Sequence, residues 1–211
     1  MGAKLFEQQQ AIFDQAITAI QNGQRHILIS GPSGYGKTFL SNRLCKWVMT
    51  TYYSTDSAKS ICFLGDNRCA QREYHPFLTG LNSLNKHYEL SKTVKKGVAK
   101  TTSFSPIGGS FFEFVAEAIL NRNGSANYKL NQFFSEAEID IILKLRNDIH
   151  QNVKAFYIDN LHWWDEKSLE FLYLLFKYKK EVLPELDDVI FIFNITSNQS
   201  FQHKEQVTAF F

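Results

Sequence analysis

The chain has 211 residues, 44% hydrophobic, 15% aromatic and 21% charged, with a formal net charge of +2. It is too apolar and too aromatic for a disordered chain, and its length suits one α/β domain better than two. The balanced charge gives no field that would draw nucleic acid or an anionic membrane. No apolar run approaches the ~18 residues of a membrane span. Glu7-Gln8-Gln9-Gln10 interrupts any signal-peptide core, and Phe6 stands where a myristoylation motif starting at Gly2 wants Ser or Thr. The three cysteines (Cys45, Cys62 and Cys69) form no C-x-x-C pair, which argues against a disulfide framework or a zinc site. These features predict a soluble, cytoplasmic protein.

In chain order, residues 6–22 carry Ile12, Phe13, Ala16, Ile17 and Ile20 at helical spacing, with Gly23 past the end. A short apolar strand, Ile27-Leu28-Ile29, then runs into Gly31-Pro32-Ser33-Gly34. A second helix is predicted from about Lys37 to about Thr51, burying Leu40, Leu44, Trp47 and Val48. Ile61-Cys62-Phe63-Leu64 reads as a buried strand closed by Gly65-Asp66-Asn67, and a helix follows from Pro76 to Glu89. The loop carrying Lys92, Lys95, Lys96 and Lys100 reads either as a solvated surface or as a phosphate-backbone contact. Ser105-Pro106-Ile107-Gly108-Gly109 is a breaker cluster before an aromatic helix with Phe111, Phe112, Phe114, Val115 and Ile119, and 121–127 is loop. Ser135-x-x-Glu138 opens a helix through Asp148 as a capping box. Ala155-Phe156-Tyr157-Ile158 is a strand. Leu169, Leu172, Tyr173 and Phe176 fall at helical spacing, and Val189–Phe193 is the last clear strand. Strands near 26–30, 61–65, 154–158 and 189–193, alternating with helices and almost continuously apolar, predict a parallel sheet buried on both faces.

Gly31-Pro32-Ser33-Gly34-Tyr35-Gly36-Lys37-Thr38 satisfies G-x-x-x-x-G-K-[ST] between a strand and a helix. Glycines let successive backbone N–H groups turn toward phosphate oxygens, and the helix N-terminus adds its dipole at the same point. Nucleotide contacts are therefore expected across Gly31, Pro32, Ser33, Gly34, Tyr35, Gly36, Lys37, Thr38 and Phe39. Lys37 is positioned to reach the β- and γ-phosphates, and the Thr38 hydroxyl to ligate Mg²⁺. Asp159 directly follows a strand, so it is expected at the carboxyl edge of the sheet as the Mg²⁺-organising carboxylate; a plain strand-end turn is the other reading. The next residue, Asn160, occupies the position where many ATPases place a glutamate that polarises the attacking water. An amide is a poor base, so the catalytic set Lys37, Asp159 and Asn160 predicts slow hydrolysis. Asp165 is the nearest alternative carboxylate and reads as the N-cap of the next helix.

Asp159-Asn160-Leu161-His162-Trp163-Trp164-Asp165 resembles the D-D-L-H-W-A-D signature of STAND-type AAA+ ATPases, signal-transduction regulators of the P-loop class. Residues 65–69 and Tyr74-His75-Pro76-Phe77 resemble that family's G-R-C and Y-x-P-[FL] segments. The helix at 168–176 and the strand leading to Thr196-Ser197-Asn198 are similar to later family elements. Two departures stand out: Leu5-Phe6-Glu7 replaces the G-R-E segment that helps hold adenine, and Asn198 stands in place of a sensor arginine. Asn194, Thr196 and Asn198 remain candidate γ-phosphate sensors, with end-of-strand polarity as the alternative for each.

The resemblance implies an α/β, three-layer P-loop NTPase (AAA+/STAND-like) over residues 1–211, in which the phosphate-loop strand lies beside the last strand. It also implies a fragment of a longer chain whose C-terminal lid is missing. Such a domain would use ATP/ADP and Mg²⁺ as a slowly hydrolysing switch in a signalling or defence-type regulator. Its partners would be the nucleotide, C-terminal sensor and effector domains, and other copies in a homo-oligomer, with no membrane and no direct nucleic-acid signal. A small-molecule or nucleotide phosphotransferase is the alternative, weakened by five scattered arginines (Arg25, Arg43, Arg68, Arg72 and Arg146), and a scaffold with a structural nucleotide is another. His162, Trp163 and Trp164 read either as a coupling element or as packing. Cys45 and Cys62 read as buried packing thiols.

Overall fold

A computed structural model describes residues 6–54, 57–83 and 134–197. The lysine-rich loop, the breaker cluster with its aromatic helix, the loop at 121–127 and Asn198 lie outside the described residues.

Among the described residues four strands, β1 (His26–Gly31), β2 (Lys59–Leu64), β3 (Val153–Asp159) and β4 (Ile190–Thr196), form one sheet in the order β1-β4-β3-β2. Every pairing is parallel. The strand leading into the phosphate loop therefore lies beside the last strand, as expected, and β4 separates it from β3. Helices α1 (Glu7–Gln21) and α2 (Lys37–Trp47) cover one face. Helices α3 (His75–Ser83), α4 (Glu136–His150) and α5 (Glu166–Lys177) cover the other, and a short α6 (Lys179–Val182) follows α5. This is a three-layer α/β architecture of the P-loop NTPase type.

Side-chain alternation along the strands divides the core in two. Ile27, Ile29, Ala155, Tyr157, Ile190 and Ile192 pack against Phe13, Ala16 and Ile20 of α1 and Leu40, Leu44 and Cys45 of α2. On the opposite face Ile61, Phe63, Phe156, Ile158, Phe191 and Phe193 meet Phe77, Leu145, Leu169, Phe171 and Leu175. Burying each of the leucine, isoleucine and phenylalanine side chains among these contributes about 1.5–3 kcal/mol before the entropy of ordering is subtracted.

Several predicted core positions are not in the core. The central strands β3 and β4 are almost wholly buried, but β1 and β2 alternate, because each lies at an end of the described sheet and the described helices cover only one of its faces. Leu28, Cys62 and Leu64 are consequently exposed, so Cys62 is not a buried thiol, whereas Cys45 is. Burial pushes the Cys45 thiol up to about 12. Ile12 is exposed because α1 presents the Phe13/Ala16/Ile20 stripe inward. Tyr173 is exposed because α5 turns Leu169, Phe171, Leu172 and Leu175 to the sheet. The second helix is α-helical only to Trp47 and then widens into a π-turn over Val48–Tyr52.

The predicted capping box at the start of α4 is present. The Ser135 hydroxyl accepts from the Glu138 backbone N–H at 3.4 Å, and Glu138 Oε2 accepts from the Ser135 N–H at 2.6 Å. Asp165 caps α5, its carboxylate accepting from the Ser168 N–H at 2.8 Å and the Ser168 hydroxyl at 2.7 Å. It also accepts from the Tyr74 N–H at 3.3 Å, which ties α3 to α5.

Candidate nucleotide site at the carboxyl edge of the sheet

Between β1 and α2 the chain passes through Gly34 at φ +84° and Gly36 at φ +75°. Gly36 stands at the N-cap of α2 and offers no side chain to its first N–H groups. A Cβ on Gly36 would lie 2.6 Å from Gln9 Nε2. That amide donates to the Tyr35 carbonyl at 3.1 Å, so α1 braces the loop directly. The uncapped start of α2, beneath a backbone curled through two positive-φ glycines, is a cradle for an anion. Lys37 Nζ donates to the Pro32 carbonyl at 2.8 Å, folding the side chain across its own loop. Burial pushes the Lys37 ammonium down from its usual value, and Asp159 pulls the other way. Tyr35 and Phe39 stand exposed at the rim.

Strand alternation places Tyr157 and Asp159, and likewise Ile192, Asn194 and Thr196, on the face covered by α2. Helical spacing places Thr38 and Ser41 on the side of α2 that meets them. Thr38 Oγ1 lies 3.4 Å from Asp159 Oδ2, joining residues 121 positions apart in the sequence. Asp159 Oδ1 accepts from the Asn160 N–H at 3.1 Å and from Asn194 Nδ2 at 3.1 Å. Asn194 Nδ2 also donates to the Tyr157 hydroxyl at 2.8 Å, and Asn194 Oδ1 accepts from the Ser41 hydroxyl at 2.7 Å. Burial is the main cause that pushes the Tyr157 phenol up; the neighbouring Thr38 hydroxyl opposes the shift and the Asp159 carboxylate adds to it. Thr196 is buried and pairs in register with Gly31, where the phosphate loop begins.

Asn160 adopts the left-handed conformation, φ 50° and ψ 48°, and opens a single 3₁₀ turn over Leu161–Trp163. Gly65, at the end of β2, donates its N–H to the Asp159 carbonyl at 2.9 Å. A Cβ on Gly65 would lie 2.3 Å from the Asn160 carbonyl oxygen and 2.7 Å from Trp164 Cδ1. Trp164 is buried against Phe77, ring centroids 5.2 Å apart, and covers the end of β2. Trp163 is exposed, and the partly buried His162 ring lies 5.8 Å from it. Arg68 is held by Asp66, and Arg43 lies over the Phe13 ring at 5.4 Å.

Lys37, Thr38, Asp159, Asn160 and Asn194 thus converge at one edge of the sheet. Gln9, Ser41 and Tyr157 join them, although the sequence gives them only as helix and strand residues. The donors suit Mg²⁺ and a nucleotide. One hydroxyl and one carboxylate are hard oxygen ligands, and no three His, Cys, Asp or Glu residues among those described could hold a metal by themselves. Magnesium is characteristically held by one or two side chains, with phosphates and water completing its coordination.

A family model described as "Type III restriction enzyme, res subunit" matches residues 2–100, a little under half of the chain. The matched stretch contains α1, the phosphate loop, α2, β2 and α3 and ends before Asp159. No curated protein matches the chain. No helix among the described residues is long and apolar enough to cross a membrane. The phosphate loop, the parallel sheet order and the family match together support an α/β fold of the P-loop NTPase type.

Proposed function

We propose that the domain binds Mg-ATP and Mg-ADP at residues 31–39 and acts as a slowly hydrolysing switch in a signal-transduction or defence-type regulator. The observation that carries this reading is the meeting of Thr38 with Asp159 at 3.4 Å directly beneath the uncapped start of α2. The backbone N–H groups of the loop and of α2 hold the phosphates, and Lys37 exchanges the Pro32 carbonyl for phosphate oxygens. Thr38 and Asp159 are the residues that would hold Mg²⁺. When bound, the cation supplies charge neutralisation on the phosphate oxygens.

Asn160 donates its backbone N–H to Asp159 and carries a side-chain amide that cannot take a proton from water near neutral pH. Asp165, the nearest alternative carboxylate along the chain, is engaged at the start of α5 and does not substitute for it. Orientation of the substrate remains, and base catalysis is lost. That loss removes a factor of about 10²–10⁴ from turnover. The resemblance of residues 159–165 to the STAND signature supports the switch role. Phosphate release at motor-ATPase rates from wild-type protein would contradict it.

A second reading, an ATPase coupled to nucleic acid, is favoured by the restriction-enzyme family match over residues 2–100. Phosphate release stimulated by added DNA or RNA would support that reading, and indifference to both would leave the switch.

A further inference from the structure

Beside the phosphate loop, buried polar side chains form one hydrogen-bonded chain that ends on Asp159. Asn194 is 1% exposed and Ser41 is 0% exposed, so neither has water to turn to. An ionised carboxylate only accepts hydrogen bonds, so the amide nitrogen of Asn194 must face Asp159 and its oxygen is left for Ser41. Both amide hydrogens are then in use, one on Asp159 Oδ1 at 3.1 Å and one on the Tyr157 hydroxyl at 2.8 Å. The Asn160 N–H adds a second donor to the same carboxylate oxygen. With Oδ1 held twice, Oδ2 is the oxygen turned to Thr38.

Resting on the nucleotide-binding reading above, we propose that Ser41, Asn194 and Tyr157 are positioning residues that hold Asp159 in one orientation and so set the Mg²⁺ requirement of nucleotide binding. Asn194 acts through the carboxylate, because its donors are committed to Asp159 and Tyr157 and it has none left for a phosphate. Residues that orient a metal-binding carboxylate from behind commonly change metal affinity 10–100-fold when removed. A site whose supporting side chains are loosened by a fraction of an ångström loses much of its preorganisation. Tyr157→Phe strands one amide hydrogen of Asn194, and Ser41→Ala strands its oxygen. Each change leaves Thr38, Asp159 and Lys37 in place.

The test is ADP binding by calorimetry on the full chain, in EDTA and across a MgCl₂ series, for wild type, Tyr157→Phe, Ser41→Ala and a control, Cys45→Ala, on the buried side of α2. Thermal melting in EDTA gives the structural cost of each change. The expected result is a rise on the order of 10-fold in the Mg²⁺ concentration giving half-maximal enhancement for both network variants. Their ADP affinity in EDTA should match wild type, and Cys45→Ala should leave the Mg²⁺ midpoint unmoved. A Mg²⁺ midpoint unchanged in the network variants, or shifted equally in Cys45→Ala, would overturn the proposal while leaving nucleotide binding intact. Wild-type protein that binds ADP neither with nor without Mg²⁺ would overturn the nucleotide-binding reading and this inference with it. Should Tyr157→Phe fail to fold, Ser41→Ala reads the same chain of bonds from its other end.

Discussion

At the scale of single residues, the Gly65 N–H donates to the Asp159 carbonyl, and Gly65 packs directly against the carbonyl of the next residue, Asn160. The left-handed Asn160 suits a residue whose short polar side chain tolerates that conformation, and its carbonyl then lies where any Cβ at position 65 would collide with it. Neither the carbonyl nor the Trp164 ring can give way cheaply, since one is backbone and the other is buried. Gly65→Ala should therefore destabilise the domain by about 1–3 kcal/mol, read as a lower denaturation midpoint. It should also weaken Mg-nucleotide binding, because Asp159 precedes the displaced residue. A Gly65→Ala protein with wild-type midpoint and affinity would show that the two strand ends are not rigidly joined. The phosphate loop is legible in the sequence because its chemistry lies in eight consecutive residues. Ser41 and Asn194 are 153 positions apart, and nothing in the local pattern of either names the other. Tyr157 is hidden for a different reason: in a strand of Ala, Phe, Tyr and Ile, a phenol reads as one more apolar ring.

Among the elements, the helices were more legible than the exposure of the strands. Capping signals are local, so the Ser135–Glu138 box and the Asp165 N-cap are legible without the packing. Strand burial depends on neighbours. The apolar runs of β1 and β2 resemble those of β3 and β4, yet among the described residues only the central pair is covered on both faces. The division of labour between the two aspartates is testable here. Asp165→Ala removes the cap of α5 and should cost about 1 kcal/mol in chemical denaturation. Because that carboxylate faces Ser168 and Tyr74, nucleotide affinity should stay at the wild-type value. A large loss of affinity in Asp165→Ala would place that residue in the site instead of at the helix end.

For the whole molecule, the sheet order brings the carboxyl ends of β1, β3 and β4 together and gathers residues from both halves of the sequence into one edge. The same packing creates a pH dependence away from that edge. Asp148 is buried near the end of α4, and burial pushes its carboxyl up to about 6, with Lys59 and Lys144 opposing the shift. A raised native pKa means that the folded state holds its proton more tightly than the unfolded chain. The contribution of this group is therefore fully present below pH 4 and is lost as pH rises through 6. Asp148→Asn should melt at a higher temperature than wild type at pH 7, with the difference shrinking as pH falls from 6 to 4. Identical melting profiles would mean that the carboxyl is solvated in the folded protein.

The central claim is that a P-loop domain lacking a carboxylate at position 160 binds Mg-nucleotide and turns it over slowly. Its most direct test is calorimetric binding of Mg-ATP and Mg-ADP to wild type and Lys37→Ala, with phosphate release followed in the same samples. The account predicts binding by wild type, loss of binding in Lys37→Ala, and little phosphate released by either. Equal binding by the two proteins, or rapid phosphate release by wild type, would contradict it.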